Sequence, residues 1–359
     1  MTLFGSLLPF ETTLMLYAAN RGIKHYKINK KAKPVNVSKV KLPPNLEKEY
    51  SSIDLERFKD TILEDKIVKF CKVMNDHFPI ECRNTFYKNL DTYRFYNMEI
   101  AKGSLIIDSN GTAYSRQSDN STNTDDSALD IDKYLYHDLF SMASSSGDDE
   151  VIYSGLSQTY FSGRHNKFAY GLNKGYTELL THRYFGDELK PKGSSYDYEM
   201  MVASKIEDIV GKEKMEEFYF TNNLKGLVDS LKHYSSEEEV MTFISRLDLI
   251  NTYFSKTRVN SYEKDKIEES INMVNDFLVK SYVVKSKDLV RDGSINSRDD
   301  LIGNIVDHTE CNRVFEIKSR HSLYYYTYFT DLNDVINETF SDEELKKIDS
   351  NTEKTSKGR

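Results

Sequence analysis

The chain has 359 residues, enough for a sizeable core and for two or three compact units. A formal net charge of -8 and a pI near 5.6 argue against nucleic-acid binding, which needs a positive surface to displace counterions from phosphate. Cys71, Cys82 and Cys311 are widely separated, with no CxxC or Cys/His spacing. They indicate neither a disulfide framework nor a thiolate metal centre, and they fit a reducing, cytoplasmic setting.

Residues 3–19, LFGSLLPFETTLMLYAA, are largely apolar, but Pro9 and Glu11 interrupt them and no basic leader precedes them, so a cleaved signal peptide is not expected. Between residues 12 and 46 there is no acidic residue, while Arg21, Lys24, Lys27, Lys30, Lys31, Lys33, Lys39 and Lys41 accumulate. An apolar segment with a basic flank is compatible with attachment to an anionic membrane through residues 1–41. The favoured reading is a helix packed on the body and a solvated linker ending at Pro43-Pro44, because Glu11 is costly in lipid.

From Ile53 to about Phe78 the apolar residues Ile53, Leu55, Phe58, Ile62, Ile67, Phe70, Cys71 and Met74 fall at three and four spacing, which predicts a helix ended by Pro79. Residues 92–115 are rich in aromatic and β-branched types and predict short strands with a hairpin turn at Asn110-Gly111. Ser127 and Asp130 resemble a capping box, so the stretch YLYHDLFSMASS, Tyr134 to Ser145, is read as a helix starting near Ala128. A turn at 144–149, a strand pair within 149–170 and a second helix from about Leu172 follow. Beyond Tyr196 four long segments show apolar three/four spacing with charged opposite faces, which predicts a helical lobe. SLYYYTYF at 322–329 reads as strand or helix, most simply a packed core element, and the chain from about Lys346 is polar.

In a helix, positions i and i+4 share a face, and zinc hydrolases use this spacing, as HExxH, to bring two imidazoles to one ion with a Glu as base. Here the pattern is H-D-x-x-S: His137, Asp138 and Ser141. Downstream lies GLNKGYTELLTH, Gly171 to His182. With this second piece the chain resembles the gluzincins, the thermolysin-like and aminopeptidase-like zinc peptidases, whose third ligand is a Glu on a second helix with an acidic residue four positions on to brace a ligating His. Lys174 stands at the ligand-Glu position and Glu178 at the bracing position.

The resemblance is specific over about residues 92–190. It implies an α+β, zincin-like domain at 51–196, followed by a helical lobe at 197–340, with an N-terminal segment at 1–50 and a polar tail at 341–359. It also implies vestigial ligand positions at His137, Ser141 and Lys174, a vestigial base at Asp138, a second-shell Glu178, and a cleft near Asn173, Tyr176 and Tyr114. Two of the three ligands are substituted, one by an ammonium that repels a dication, so no metal or other cofactor is expected and catalysis is in doubt. The expected protein is a catalytically inactive pseudopeptidase that binds a peptide or protein, by strand addition at an edge near SLIIDSNGTAYS. Lys174 is expected to pair with Asp138 or Glu178. His165 is a solvent-facing turn residue more readily than a replacement ligand, and the acidic residues Asp125, Asp126, Asp148, Asp149 and Glu150 are explained by capping and solvation. Three alternatives stay open: an active peptidase with an atypical metal site, a membrane-associated scaffold, and, least favoured, an HD-type phosphohydrolase built on His137-Asp138.

Overall fold

A computed structural model describes residues 33–36, 64–92, 94–97, 105–109, 112–115, 131–147, 151–160, 166–186, 196–256, 258–319, 322–346 and 348. The apolar segment at 3–19, the Asn110-Gly111 turn, the Ser127 capping box, His165, the five flanking acidic residues and the chain beyond 348 lie outside them. Among the described residues no helix is long and apolar enough to cross a membrane. The protein mixes helices with small antiparallel sheets, an α+β arrangement.

Helices α1 (Glu64–His77) and α2 (Ile80–Thr92) flank Pro79. The sequence reading stopped at the proline and missed α2, although proline is tolerated where a helix begins because the first amides have no intrahelical acceptor anyway. The Pro79 carbonyl accepts from the amides of Cys82 and Arg83, which starts the second helix. Next come the strands β2 (Arg94–Asn97), β3 (Leu105–Ser109) and β4 (Thr112–Ser115), with β1 (Lys33–Asn36) in front of β2. The sheet order is β1-β2-β3-β4, with Ser109 opposite Thr112. Strand β3 therefore has neighbours on both sides, and of the expected edge only the TAYS half, β4, is a terminal strand among the described residues.

Helix α3 (Ile131–Ala143) carries the H-D-x-x-S stretch. Between it and α4 (Tyr170–Phe185) runs an antiparallel meander of β5 (Ser145–Gly147), β6 (Val151–Ser154), β7 (Ser157–Tyr160) and β8 (Asn166–Phe168). The expected strand pair is thus a four-stranded sheet, and part of the expected turn at 144–149 is its first strand. After Tyr196 the chain is helical as expected: α5 (Asp197–Val210), α6 (Lys212–Phe220), α7 (Leu224–Leu231), α8 (Glu237–Phe254), α9 (Ser261–Arg291) and α10 (Arg298–His308). Then β9 (Arg313–Ser319) and β10 (Ser322–Tyr328) form a hairpin before α11 (Leu332–Thr339). SLYYYTY is therefore a strand.

Helix α4 is the centre of the molecule. Ten of its sixteen residues are buried, so it is packed on more than one face and lacks the polar stripe of a surface helix. Two glycines, at i and i+4, permit this. A Cβ at Gly175 would land on the Glu199 carbonyl oxygen of α5, and one at Gly171 would come within 2.8 Å of the Leu247 carbonyl oxygen of α8. One contiguous apolar cluster runs from Ile67 to Ile348, with Phe70, Phe86, Phe140 and Phe185 joining α1, α2, α3 and α4. The expected boundary near Tyr196 falls between α4 and α5, two helices that pack closely.

Candidate functional site

The start of α4 is fixed from another helix. Ala169 lies in the left-handed region with φ 55°, and the buried Asp248 of α8 accepts hydrogen bonds from the amides of Ala169, at 3.0 Å, and Gly171, at 2.7 Å. A carboxylate at a helix N-terminus satisfies orphan donors and complements the helix dipole. The end of α3 is fixed by polar side chains: Asn89 donates to the carbonyls of Met142 and Ser145, and the Ser144 and Ser145 hydroxyls donate to the Ser141 carbonyl. These restraints set the register of α3 against α4.

Between the two helices lies a chain of polar groups. His137, fully buried, presents Nδ1 to Glu178 Oε2 at 2.8 Å and Nε2 to Lys174 Nζ at 3.2 Å. Glu178, also buried, faces His182 Nε2 with its other oxygen at 3.3 Å. Lys174, Glu178 and His182 are spaced by four, on one face of α4. A carboxylate accepts only, so the Nδ1 proton points to Glu178 and the Nε2 lone pair is left to accept from the Lys174 ammonium. Burial first, and then the ammonium, hold His137 below the usual imidazole range, which keeps the ring neutral and able to accept. The Tyr196 ring stacks on His137 at 5.6 Å, and Lys174 Nζ lies 5.8 Å from the centre of that ring and 5.5 Å from that of Tyr170. Both ring faces favour a cation.

The structure thus brings His137, Lys174 and Glu178 together, with one change of partner. Lys174 meets His137 directly, in place of the expected contact with Asp138 or Glu178. The reason is that Nδ1 is already engaged by Glu178, which leaves Nε2 of the buried ring as the acceptor for the ammonium. Asp138 is half-buried beside His137 and favours its charged form electrostatically. Ser141 is half-buried and its hydroxyl makes no hydrogen bond among the described residues; the Tyr219 hydroxyl meets Thr177 Oγ1 at 2.9 Å and is pushed up to about 12 by burial.

Two residues expected in a cleft are interior instead. Asn173 accepts from the Leu156 amide at 2.9 Å and ties the β6–β7 turn to α4. The Tyr176 hydroxyl donates to Glu207 Oε2 at 2.8 Å, inside a network with Arg183 and Glu216. Both side chains are buried because α4 is enclosed by its neighbours. The Tyr114 side chain lies outside the described residues. Sequence reasoning missed His182, Tyr170, Tyr196 and Asp248. His182 was detectable from its spacing to Glu178, whereas Asp248 comes from a distant helix and gives no local signal.

A zinc ion does not fit these residues. The lone pair it would take is held by an ammonium, and Ser141, one helical turn on from His137, supplies no imidazole. Among the described residues no group of three His, Cys, Asp or Glu side chains is placed to hold a metal ion. Comparison of the chain with protein-family models, curated proteins and solved structures returns no match, so the reading of this site rests on its own geometry.

Proposed function

We propose that the chain is a zincin-like pseudoenzyme of gluzincin type, a non-catalytic peptide- or protein-binding relative of metallopeptidases, in which the Lys174 ammonium stands where an active enzyme keeps its dication. The observation that carries this reading is the contact of Lys174 Nζ with His137 Nε2 while Glu178 braces Nδ1. Ligating histidines in metal sites characteristically donate their other nitrogen to a carboxylate, and here that second half of the arrangement is present around a lysine. Strand addition requires only an accessible edge and no metal, and the terminal position of β4 in its sheet among the described residues supports this reading.

The test is elemental analysis of the purified protein together with a peptide-hydrolysis assay. Metal at background and no chelator-sensitive turnover support the proposal; an equimolar, tightly bound metal with turnover overturns it. The triple variant Asp138→Glu, Ser141→His, Lys174→Glu should gain zinc affinity, and zinc should raise its melting temperature by linkage. A triple variant that folds but is indifferent to zinc would separate this site from a gluzincin centre.

A further inference from the structure

The chain of contacts through His137 has a direction. The Nδ1 proton goes to Glu178 Oε2 at 2.8 Å, and Nε2, on the far side of the same ring, faces Lys174 Nζ at 3.2 Å. A carboxylate orients an imidazole, and the imidazole reaches a side chain able to act as a nucleophile. That is the arrangement of nucleophilic triads, with an amine in place of a hydroxyl or thiol. Exposure is graded along it. Glu178 and His137 are 3% and 1% exposed, whereas Lys174 is half-buried, as are Tyr170, Tyr196 and Lys167 around it. The base is therefore shielded from water, and the lysine is the accessible member. Its Nζ lies 5.5 Å from the centre of the Tyr170 ring and 5.8 Å from that of Tyr196. The Tyr170 ring also carries a second cation, Lys167 Nζ, at 4.0 Å from its centre. Two ammoniums on one ring repel each other, and release of a proton from Lys174 relieves that repulsion.

We infer that Lys174 is a nucleophilic lysine that captures carboxylate-bearing aldehydes and ketones as protonated imines, with His137 as its base and Glu178 as the residue that positions the base. The Lys174 ammonium passes one proton to His137 Nε2, and Glu178 holds the imidazolium at Nδ1. The amine lone pair forms a bond to the carbonyl carbon, and the carbonyl π pair moves to oxygen, which takes the proton back from the imidazolium. The nitrogen then gives a second proton to Nε2. Returned to the new hydroxyl, that proton leaves with it as water while the nitrogen lone pair closes the C=N bond. One ammonium and one carbonyl have become one iminium ion and one water, His137 ends as it began, and no oxidant or reductant is needed. Tyr170 and Tyr196 offer ring faces to a flat carbonyl compound, and Lys167 is the cation for its carboxylate. This activity goes beyond peptide binding. It needs neither a metal nor an extended peptide, and it rests on the Glu178, His137 and Lys174 contacts whatever the ancestry of the site.

The test treats the full chain with dilute 4-carboxybenzaldehyde, reduces the imine with sodium cyanoborohydride and locates the modified lysine by peptide mass mapping. Lys174 should be labelled on the order of a hundredfold faster than the other lysines, the size of a general-base contribution, and Lys174→Arg should remove that fast adduct. Glu178→Gln keeps the shape of the side chain but takes the counter-charge from the imidazolium. It should slow labelling at Lys174 by about tenfold or more and leave the slow labelling elsewhere unchanged. Benzaldehyde, which lacks the carboxylate, should react more slowly at Lys174 than 4-carboxybenzaldehyde, and Lys167→Met should remove the difference. A folded parent in which Lys174 is labelled no faster than the other lysines overturns the inference, and this arm decides even if Glu178→Gln fails to fold. Fast labelling that is indifferent to Glu178→Gln in a cooperatively melting variant also overturns it, and equal rates for the two aldehydes in the parent overturn the carboxylate assignment. Metal content and peptide turnover test the peptide-binding role separately: labelling can fail with both at background, and both can rise with labelling intact.

Discussion

The two sides of α4 solve different problems. On the side facing α5 and α8 the helix carries Gly171 and Gly175, and neighbouring backbones approach so closely that no side chain fits. On the side facing α3 it carries Lys174 and Glu178, which meet the two ring nitrogens of His137, and what matters is which atom donates to which. The comparison teaches that the stretch GLNKGYTELLTH has two independent origins. Its glycines answer to packing, where the penalty for change is steric and immediate. Its polar residues answer to a buried hydrogen-bond chain, where the penalty depends on charge and pH. The buried Glu199, on the packed side, sharpens the contrast. It accepts from the Asn251 amide at 2.8 Å and is pushed up to about 7, chiefly by burial.

The packed side should break hardest. Gly175→Ala sets a methyl group against the Glu199 carbonyl, and neither helix backbone can yield locally, so we expect a loss of about 3 kcal/mol or more, read by denaturant melting. A melt like that of the parent would show that α4 and α5 are not in close contact. Next in size is Asp248→Ala, which leaves the amides of Ala169 and Gly171 without their acceptor. A loss of about 2 kcal/mol is expected, and hydrogen exchange at the first turn of α4 should speed up.

On the polar side, Lys174→Glu replaces the ammonium with a second carboxylate against His137. At pH 8 the loss should be about 2 kcal/mol, and it should shrink toward pH 6. The sign follows from linkage. The ammonium is one of the influences that lower the His137 pKa, and replacing it with a carboxylate favours the imidazolium, so the variant recovers stability as pH falls and the ring takes up its proton. Equal losses at both pH values would mean that Lys174 and His137 do not interact. In the parent the direction is opposite. His137 resists protonation when folded, so its site loses stability as pH falls below about 6.5.

The smallest effect at neutral pH is expected for Glu199→Gln. Because the folded pKa of Glu199 is raised from 4.5 to about 7, its contribution is present below 4.5 and declines as pH rises through 7. The variant should melt close to the parent at pH 7 and lose that part of the pH slope. Melts across this range check it, and an unchanged slope would place the titration elsewhere.

The sequence by itself determined what is local. Three/four spacing marks the helices beyond Tyr196, because a helix that buries one stripe must repeat its apolar residues at that period, and the spacing of Lys174 and Glu178 from one another put both on one face of α4. The gluzincin resemblance set Glu178 behind a histidine and led to Lys174 being paired with Asp138 or Glu178. Only the tertiary structure decided the rest. Helix α2 was hidden because a proline reads alike as a stop and as a start. Asn173 and Tyr176 look like cleft residues in one dimension and are interior because α4 is enclosed on several sides. Lys174 takes His137 as its partner because Nδ1 is already engaged by Glu178, which leaves Nε2 as the acceptor, and the helix start at Tyr170 depends on Asp248, seventy-nine residues from Ala169. Periodicity fixes which way a side chain faces along its own element, but hydrogen bonding is a competition among all the groups that folding brings to the same place, and that competition is settled only when the elements are packed.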